Sequence, residues 1–448
     1  MRLSDLRGRR VVILGTGREG MAAANALVGV ASALAATDDK PEGDSAAAWR
    51  ARWGASVPIL GTPTPEQIRA DFDVAVKSPG ISPLNPLVAA LVASGFPLTS
   101  GTDLWMSDHA ATTIGVTGSK GKSTTSSLIH HVLAALGENV VLGGNIGLPL
   151  LDLPEADRSV VELSSYQSQS LSTSPGVAVL TSLFAEHLDW HGSEERYFAD
   201  KLSIVAHGPH RVVANGDDPR LVDALARLHP DVPVQWVGAN GEFGLRHHDG
   251  EEWISRGDEH ILPATGLRLL GRHNALNACI ALAAIAASGT SFTAEQAAEA
   301  LASFAPLDHR LQPIADPSGV TFVNDSLSTS PFAAIEALKS FDPSLVVLLV
   351  GGQDRGVDYA PLADHLAQHP VAAVIGLPPS GPRILSELRD VPTQLADDMR
   401  DAVDRARRAA PERGIVLLSP AAPSYGIYRD FADRAADFER AISATRPA

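Results

Sequence analysis

"GVTGSKGKST", residues 115–124, is the stretch that decides how this chain is read. It ends an apolar run, "TTIGVTG", and opens a segment in which Leu128, Val132 and Leu136 recur at i, i+4 and i+8, with Ile129 and Leu133 beside them. That order is strand, glycine loop, amphipathic helix. A strict phosphate-binding loop reads G-x-x-x-x-G-K-[ST]. Gly121, Lys122 and Ser123 fit it, but the first glycine is due at Val116; Gly115 stands one place early and Gly118 lies inside the loop. The chemistry asked of such a loop is specific. Its glycines let the amides of residues 118–123 turn inward on a polyphosphate, Lys122 reaches the β/γ oxygens, and the hydroxyl of Ser123 or Thr124 can ligate Mg²⁺. Gly118, Ser119, Lys120, Gly121, Lys122, Ser123 and Thr124 are therefore the candidate nucleotide contacts. The plain alternative is a glycine-rich turn that opens a helix.

Around this loop the chain is 448 residues long, with 45% hydrophobic residues and a net charge of −16. The length allows two or three domains, each with a core. The acidic balance argues against nucleic acid and against an anionic membrane surface as partners. No apolar run approaches the 18 residues of a membrane span. The first residues, "MRLSDLRGRRVVILG", read as a strand before a glycine turn and not as a signal peptide. Cys279 is the single cysteine, so no intrachain disulfide can form, and a reducing cytoplasmic setting is expected. Six lysines stand against thirty arginines, which draws attention to Lys122 and Lys201 as lysines that need an amine.

Strands alternate with helices along the whole chain: "RRVVILG", "TTIGVTG", "SVVEL", "GVAVLTSL", "HRVVANG", "TFVND", "SLVVLLVGG", "VAAVIGL" and "GIVLLSP". This predicts doubly wound α/β domains with mainly parallel sheets. Three strand–glycine-loop–helix units begin near residues 11, 112 and 345, which places domain boundaries near 106 and 306.

The first of these units carries a second glycine loop, "GTGREG", Gly15 to Gly20, with Asp38 and Asp39 about 20 residues on. It reads as a dinucleotide-binding turn of an NAD(P)-dependent oxidoreductase, as a tight turn that packs helix on sheet, or as a helix N-terminus whose amides hold another diphosphate. Downstream of the lysine loop, Glu162 ends "SVVE" as a candidate metal-side carboxylate. "FAEHLDWHG" supplies Glu186, His187, Asp189 and His191. The His-x-Asp-x-His spacing resembles a transition-metal site. With one cysteine and no further clustered histidine pair, Mg²⁺ held through oxygen and one histidine is the better reading, and His191 is expected to be a surface loop histidine. Lys201 follows on a helix. Its amine either is solvated or adds CO₂ to become a carbamate, an oxygen ligand. Polar clusters at His273, Asn274 and Asn277, at Asp308, His309 and Arg310, and at Asn324, Asp325 and Ser326 suit helix caps or a nucleotide gripped from two sides.

The order "TGSKGKST", "GGNIG", "ELSSYQ", "EHLDWHG…DKL", "GRHNALNA", "DHRLQ", "NDS", "LLSPAAPS" resembles the Mur ligase family over essentially the whole chain, and within it the members that add glutamate to UDP-N-acetylmuramoyl-L-alanine. That family shares the loop that is one glycine short. The resemblance implies three domains: a Rossmann-like UDP-substrate domain over 1–106, a central P-loop ATPase domain over 107–306, and a Rossmann-like amino-acid domain over 307–448. It also implies a reaction in which ATP phosphorylates the substrate carboxylate and the amine of glutamate displaces phosphate through a tetrahedral intermediate. On the matching positions, Lys122 serves the γ-phosphate. Ser123, Thr124, Glu162 and His187 hold Mg²⁺, and Lys201 is the carbamylated lysine. Asn274, Asn277, Arg310 and Asp325 contact ATP, while Gly17, Arg18, Glu19, Asp38, Asn145 and Ser164 face the UDP-sugar substrate. Two departures point to a subgroup that adds L-glutamate, with D-glutamate as the alternative. Leu327 stands where a lysine follows "NDS", and Arg355 stands where the glycine loop after "VVLLV" carries lysine. Arg for Lys is not a neutral exchange at a carboxylate site. Thr329, Arg355, Ser424, Tyr425 and Phe431 are the expected amino-acid pocket. A monomer and a separate epimerase acting on the product complete the expectation, and a P-loop protein that uses ATP as a conformational switch is a further alternative.

Overall fold

A computed structural model describes residues 1–354 and 356–446. Two compact units divide the chain, Met1–Gly266 with Ala275–Ser303, and Leu267–Asn274 with Phe304–Ala448.

The first unit contains two all-parallel sheets. In one, the strands Ile59–Leu60, Ala33–Thr37, Arg10–Leu14, Val74–Lys77 and Leu98–Thr99 lie side by side in that order. Its central strand, "RVVIL", is apolar on both faces because helices cover both. Val11 and Ile13 pack with Leu27 and Trp49 on one side, and Val12 and Leu14 with Ile68 and Leu91 on the other. The glycine loop Gly15–Gly20 leaves the end of this strand and enters the helix Arg18–Leu27.

The other sheet has six parallel strands in the order Val234–Val237, Arg211–Asn215, Val177–Leu180, Thr113–Thr117, Arg158–Glu162, Val140–Gly144. Thr113–Thr117 has every residue buried and lies between Val177–Leu180 and Arg158–Glu162. The helix Lys122–Ala135 follows as the apolar spacing predicts. Leu128, Ile129, Val132 and Leu133 are fully buried, each worth about 1.5–3 kcal/mol of apolar burial. Leu136 caps the helix end half-buried. A three-stranded antiparallel sheet, Phe243–His248, Glu251–Arg256 and Glu259–Pro263, was not legible in the strand–helix pattern. Its strands are joined by tight turns and have no helix between them to mark them.

The second unit holds a six-stranded sheet in the order Gln312–Ile314, Thr321–Asn324, Ile415–Leu418, Val346–Val350, Ala373–Gly376, Thr393–Leu395. All its pairings are parallel except that of the first strand with the second. The proposed amino-acid residues lie in segments that follow three of these strands: Asp325 to Thr329, the loop from Gly351, and Ser419 to Phe431. This is the end of a parallel sheet where ligands bind in open α/β folds. Among the described residues, no helix is long and apolar enough to cross a membrane.

Candidate active site

The central strand Thr113–Thr117 runs straight into the loop. Gly118 has φ +148°, and a Cβ there would lie 2.0 Å from Thr181 Oγ1. Gly121 has φ +86°, and a Cβ there would lie 2.8 Å from Asn277 Oδ1. Both positions need glycine for conformation and for space. One expectation is corrected. The amides of Ser119 and Lys120 do not turn inward; they donate to Ser182 O at 2.8 Å and Ser182 Oγ at 2.9 Å. The Ser119 hydroxyl donates to Phe184 O at 2.7 Å and lies 2.9 Å from the Tyr197 hydroxyl. Buried amides must find acceptors, and the segment after Val177–Leu180 supplies them. The loop is thus pinned on one side, which leaves Gly121, Lys122, Ser123 and Thr124 at the helix start as the candidate anion contacts.

Two lysines converge on one carbonyl. Lys122 Nζ donates to Gly118 O at 2.8 Å and to Ser119 O at 3.0 Å; Lys201 Nζ donates to the same Gly118 O at 2.9 Å. Lys201 comes from the helix Glu194–Leu202, is 2% exposed, and sits 5.0 Å from the Tyr197 ring centroid. Burial, reinforced by Lys122 and Lys120 against the pull of Glu186 and Glu162, drives its pKa well below the ordinary lysine value. An uncharged amine is nucleophilic, which is the state that carbamate formation needs. Lys120 pairs with Glu186 at 2.8 Å. Burial pushes Glu186 up, but Lys120 and Lys122 outweigh it and hold the carboxyl below its usual range. His187, at φ +55°, is pushed down by burial; Glu186 opposes this, while Lys120, Lys122 and Lys201 add to it. A neutral imidazole is the form that binds a metal.

Glu162 ends the neighbouring strand at 1% exposure. Its Oε1 accepts from Asn145 Nδ2 at 2.6 Å, and among the described residues its Oε2 is buried with no partner. An orphaned buried carboxylate oxygen is a donor suited to a hard cation. Among the described residues, no three His, Cys, Asp or Glu side chains gather as a metal site. His191 corrects a second expectation. It is not a surface residue: its side chain is fully buried, Nδ1 lies 2.7 Å from Asp200 Oδ2, and Nε2 lies 2.9 Å from Ser165 Oγ.

The first glycine loop is fastened by an acid. Asp38 Oδ2 accepts from the Thr16 amide at 3.0 Å and from the Thr16 hydroxyl, and Oδ1 accepts from the Lys40 amide at 2.8 Å. Burial pushes Asp38 up, and these bonds overcome it and leave the carboxyl below its ordinary value. Gly17 caps the helix, and Glu19 is half-buried and raised by that burial. Arg18 reaches the end of the strand Val140–Gly144 and the loop after it. It donates to Gly147 O at 3.0 Å, Gly144 O at 3.2 Å and Asn145 O at 3.5 Å, the loop that also presents Asn145 to Glu162. Ser164 has a capping role: its Oγ accepts from the Gln167 amide at 3.2 Å and donates to Gln167 Oε1 at 2.9 Å.

In the second unit, Asn274 donates to Leu270 O at 2.7 Å. Asp325 is buried, accepts from Ser419 Oγ at 2.8 Å and from the Leu311 amide at 3.3 Å, and is pushed up to about 6 by burial, against bonds from Ser328 and Ser419 and the charge of Arg310. Ser424 is buried, while Thr329, Tyr425 and Phe431 are exposed. The His309 and Phe431 rings meet at 5.8 Å. Leu327 is half-buried. Arg355 lies outside the described residues.

The residue that sequence reasoning missed here is Arg434, 1% exposed and lowered to about 10 by burial. It donates to Ser326 Oγ at 3.0 Å, Ser326 O at 2.8 Å, Ala422 O at 2.9 Å and Gly351 O at 3.5 Å, tying together the three segments that follow the strands. Its signal was present: it shares the buried stripe of its helix with Ala435, Phe438, Ala441 and Ile442.

Two family models match the chain, the Mur ligase middle domain over residues 116–285 and the Mur ligase glutamate ligase domain over residues 309–422. A protein of Salinispora tropica named UDP-N-acetylmuramoyl-L-alanine--L-glutamate ligase is 49% identical over 99% of this chain and 100% of its own. The chain belongs to the Mur ligase family. A protein of the same name from Xanthomonas axonopodis pv. citri is 39% identical over 98% of this chain and 96% of its own. Among solved structures, the MurF ligase of Thermotoga maritima in complex with ADP shares the fold at TM-score 0.61 and 18% identity, over 99% of this chain and 96% of that one. The UDP-N-acetylmuramate-alanine ligase of the same organism does so at TM-score 0.60 and 19% identity, over 98% of this chain and 100% of that one. As a Mur ligase, the chain is an ATP-dependent enzyme that forms an amide bond.

Proposed function

We propose that this Mur ligase joins L-glutamate to UDP-N-acetylmuramoyl-L-alanine in the cytoplasm, in the synthesis of peptidoglycan precursor. The observation that carries the reading is the convergence of Lys122 and Lys201 on the Gly118 carbonyl, with Glu162 close enough to act on Lys201. The lysines support a γ-phosphate site, and the buried Glu162 oxygen supports a metal-side carboxylate. The near-full-length likeness to relatives named as L-glutamate ligases supplies the substrates. Leu327 in the pocket segment after "NDS" supports the L form, because it removes the ammonium that the D-glutamate adders carry there.

In this reading the chain works as three domains, 1–106 for the UDP moiety, 107–306 for ATP and 307–448 for the amino acid, and acts as a monomer whose product passes to an epimerase. The glycine loop at Gly17 takes the UDP diphosphate, with Arg18, Glu19, Asp38, Asn145 and Ser164 around the substrate. Lys122 and the amides of the helix start hold the polyphosphate of ATP, and Asn274, Asn277, Arg310 and Asp325 complete the nucleotide site. Ser123, Thr124, Glu162, His187 and a carbamate on Lys201 would hold Mg²⁺, which neutralises phosphate charge when bound. Lys122 stabilises the charge that develops as the γ-phosphoryl moves to the alanyl carboxylate. Thr329, Arg355, Ser424, Tyr425 and Phe431 orient glutamate so that its amine displaces phosphate from the acyl phosphate.

The test supplies UDP-N-acetylmuramoyl-L-alanine, ATP and Mg²⁺ with each glutamate enantiomer and measures ADP release and product mass. Turnover with L-glutamate is expected. Turnover only with the D form overturns the stereochemical assignment, and none with either overturns the substrate assignment.

A further inference from the structure

Three segments carry the groups read above as metal-side: the end of Arg158–Glu162, the turn from His187, and the helix Glu194–Leu202. One buried imidazole links to all three, through Ser165 just beyond the strand end, its own turn and Asp200. Ser165 follows Glu162 by three residues and opens the short helix Ser165–Ser168. His191 ends the helical turn Leu188–His191 that His187 caps, and its amide donates to His187 O at 3.1 Å. Asp200 immediately precedes Lys201.

We propose that His191 is a positioning residue that sets the relative placement of Glu162, His187 and Lys201 by joining their segments through Ser165 and Asp200. The proposal rests on the metal-side reading of those three groups.

The geometry suits this task. His191 Nδ1 meets Asp200 Oδ2 at 2.7 Å and Nε2 meets Ser165 Oγ at 2.9 Å. The two nitrogens sit on opposite sides of a rigid ring, so the separation of the two partners is fixed by the imidazole itself. A flexible side chain would not impose it. Asp200 cannot swing away, because its other oxygen accepts from Arg196 Nε at 2.9 Å within the same helix. Since Asp200 and Lys201 are neighbours on that helix, the direction of Asp200 fixes the rotation of the helix about its axis and so the direction in which Lys201 enters the site. The ring is held in plane by its own neighbours. Tyr166 stacks at 5.6 Å, Tyr197 meets it edge-on at 5.1 Å, and Trp190 lies at 4.4 Å. Tyr166 also lies 5.2 Å from the His187 ring. The order Ser–His–Asp is that of a nucleophilic triad, but Ser165 is 3% exposed and Asp200 is 4% exposed, so the contacts serve the fold of the site and reach no acyl group.

The experiment compares wild type with His191→Phe, His191→Asn, Ser165→Ala and Asp200→Asn. Mn²⁺ binding in the presence of ADP is read by electron paramagnetic resonance, and binding of UDP-N-acetylmuramoyl-L-alanine by calorimetry. His191→Phe keeps a ring and loses both bonds; it should weaken Mn²⁺ about 10- to 100-fold while leaving the UDP substrate within twofold. Ser165→Ala and Asp200→Asn should each lose part of that factor, and adding either to His191→Phe should cost nothing further, because the three act as one unit. If His191→Phe fails to fold, Ser165→Ala, which removes one hydroxyl, gives the answer. Mn²⁺ affinity within twofold of wild type in Ser165→Ala and His191→Asn, or an equal loss for the UDP substrate, overturns the proposal. Wild-type protein that binds no Mn²⁺ with ADP overturns the metal-side reading itself, a different result from wild-type binding that the variants leave intact.

Discussion

Gly15–Gly20 and Gly115–Thr124 both leave the end of a central strand in an all-parallel sheet and both enter a helix, yet the groups that fasten them differ in charge. Asp38 holds the first through the amide and hydroxyl of Thr16. The second is held by the neutral carbonyl and hydroxyl of Ser182 and is crowded by Lys120, Lys122 and Lys201. A carboxylate behind a loop limits how much negative charge the loop can accept. Two half-buried lysines around a buried one invite a triphosphate, and burial, reinforced by their charge, depresses the buried member. Backbone geometry therefore says "anion here" in both places, and the side chains behind each loop decide which anion.

Breaking the second loop should have the larger effect. Lys122→Ala removes the loop lysine that donates to the Gly118 and Ser119 carbonyls; turnover should fall about 100- to 1000-fold in a steady-state assay, with UDP-substrate affinity unchanged. Breaking the first loop should be milder and of another kind. Thr16→Val takes the hydroxyl from Asp38 and should raise KM for the UDP substrate about 10-fold with kcat little altered, since it removes binding shared by ground and transition states. The smallest effect sharpens the contrast by pH. Asp38 is held below its ordinary value, so the stability it contributes is fully present above the unfolded carboxylate value of about 4 and is lost as the pH falls through its lower folded value. Asp38→Asn should therefore melt below wild type at pH 7, and the gap should close on acidification, which thermal melts across pH 2–7 will show.

Much of the site was legible because its chemistry is local. The lysine loop, the carboxylate at Glu162 and the motif order from "TGSKGKST" to "LLSPAAPS" are properties of neighbouring residues. The burial of Leu128, Ile129, Val132 and Leu133 follows from helical spacing alone. The misreadings share one cause. Whether the Ser119 and Lys120 amides face a ligand or a neighbouring segment depends on Ser182, about 60 residues away in sequence. Whether His191 is solvated depends on Ser165 and Asp200. Arg434 looks like an ordinary helix arginine until Ser326, Gly351 and Ala422 are brought to it.

The sequence by itself determined the alternation of strands and helices, the family likeness and the residue types that can do the chemistry, because these depend on spacing along one chain. Only the tertiary structure decided that Lys122 and Lys201 share the Gly118 carbonyl, that Glu162 keeps a buried oxygen without a partner among the described residues, and that His191 is a buried link between segments. The reason is physical: desolvation and the pairing of buried polar groups are set by what the fold packs around a residue, and the residues that do the packing come from far along the chain.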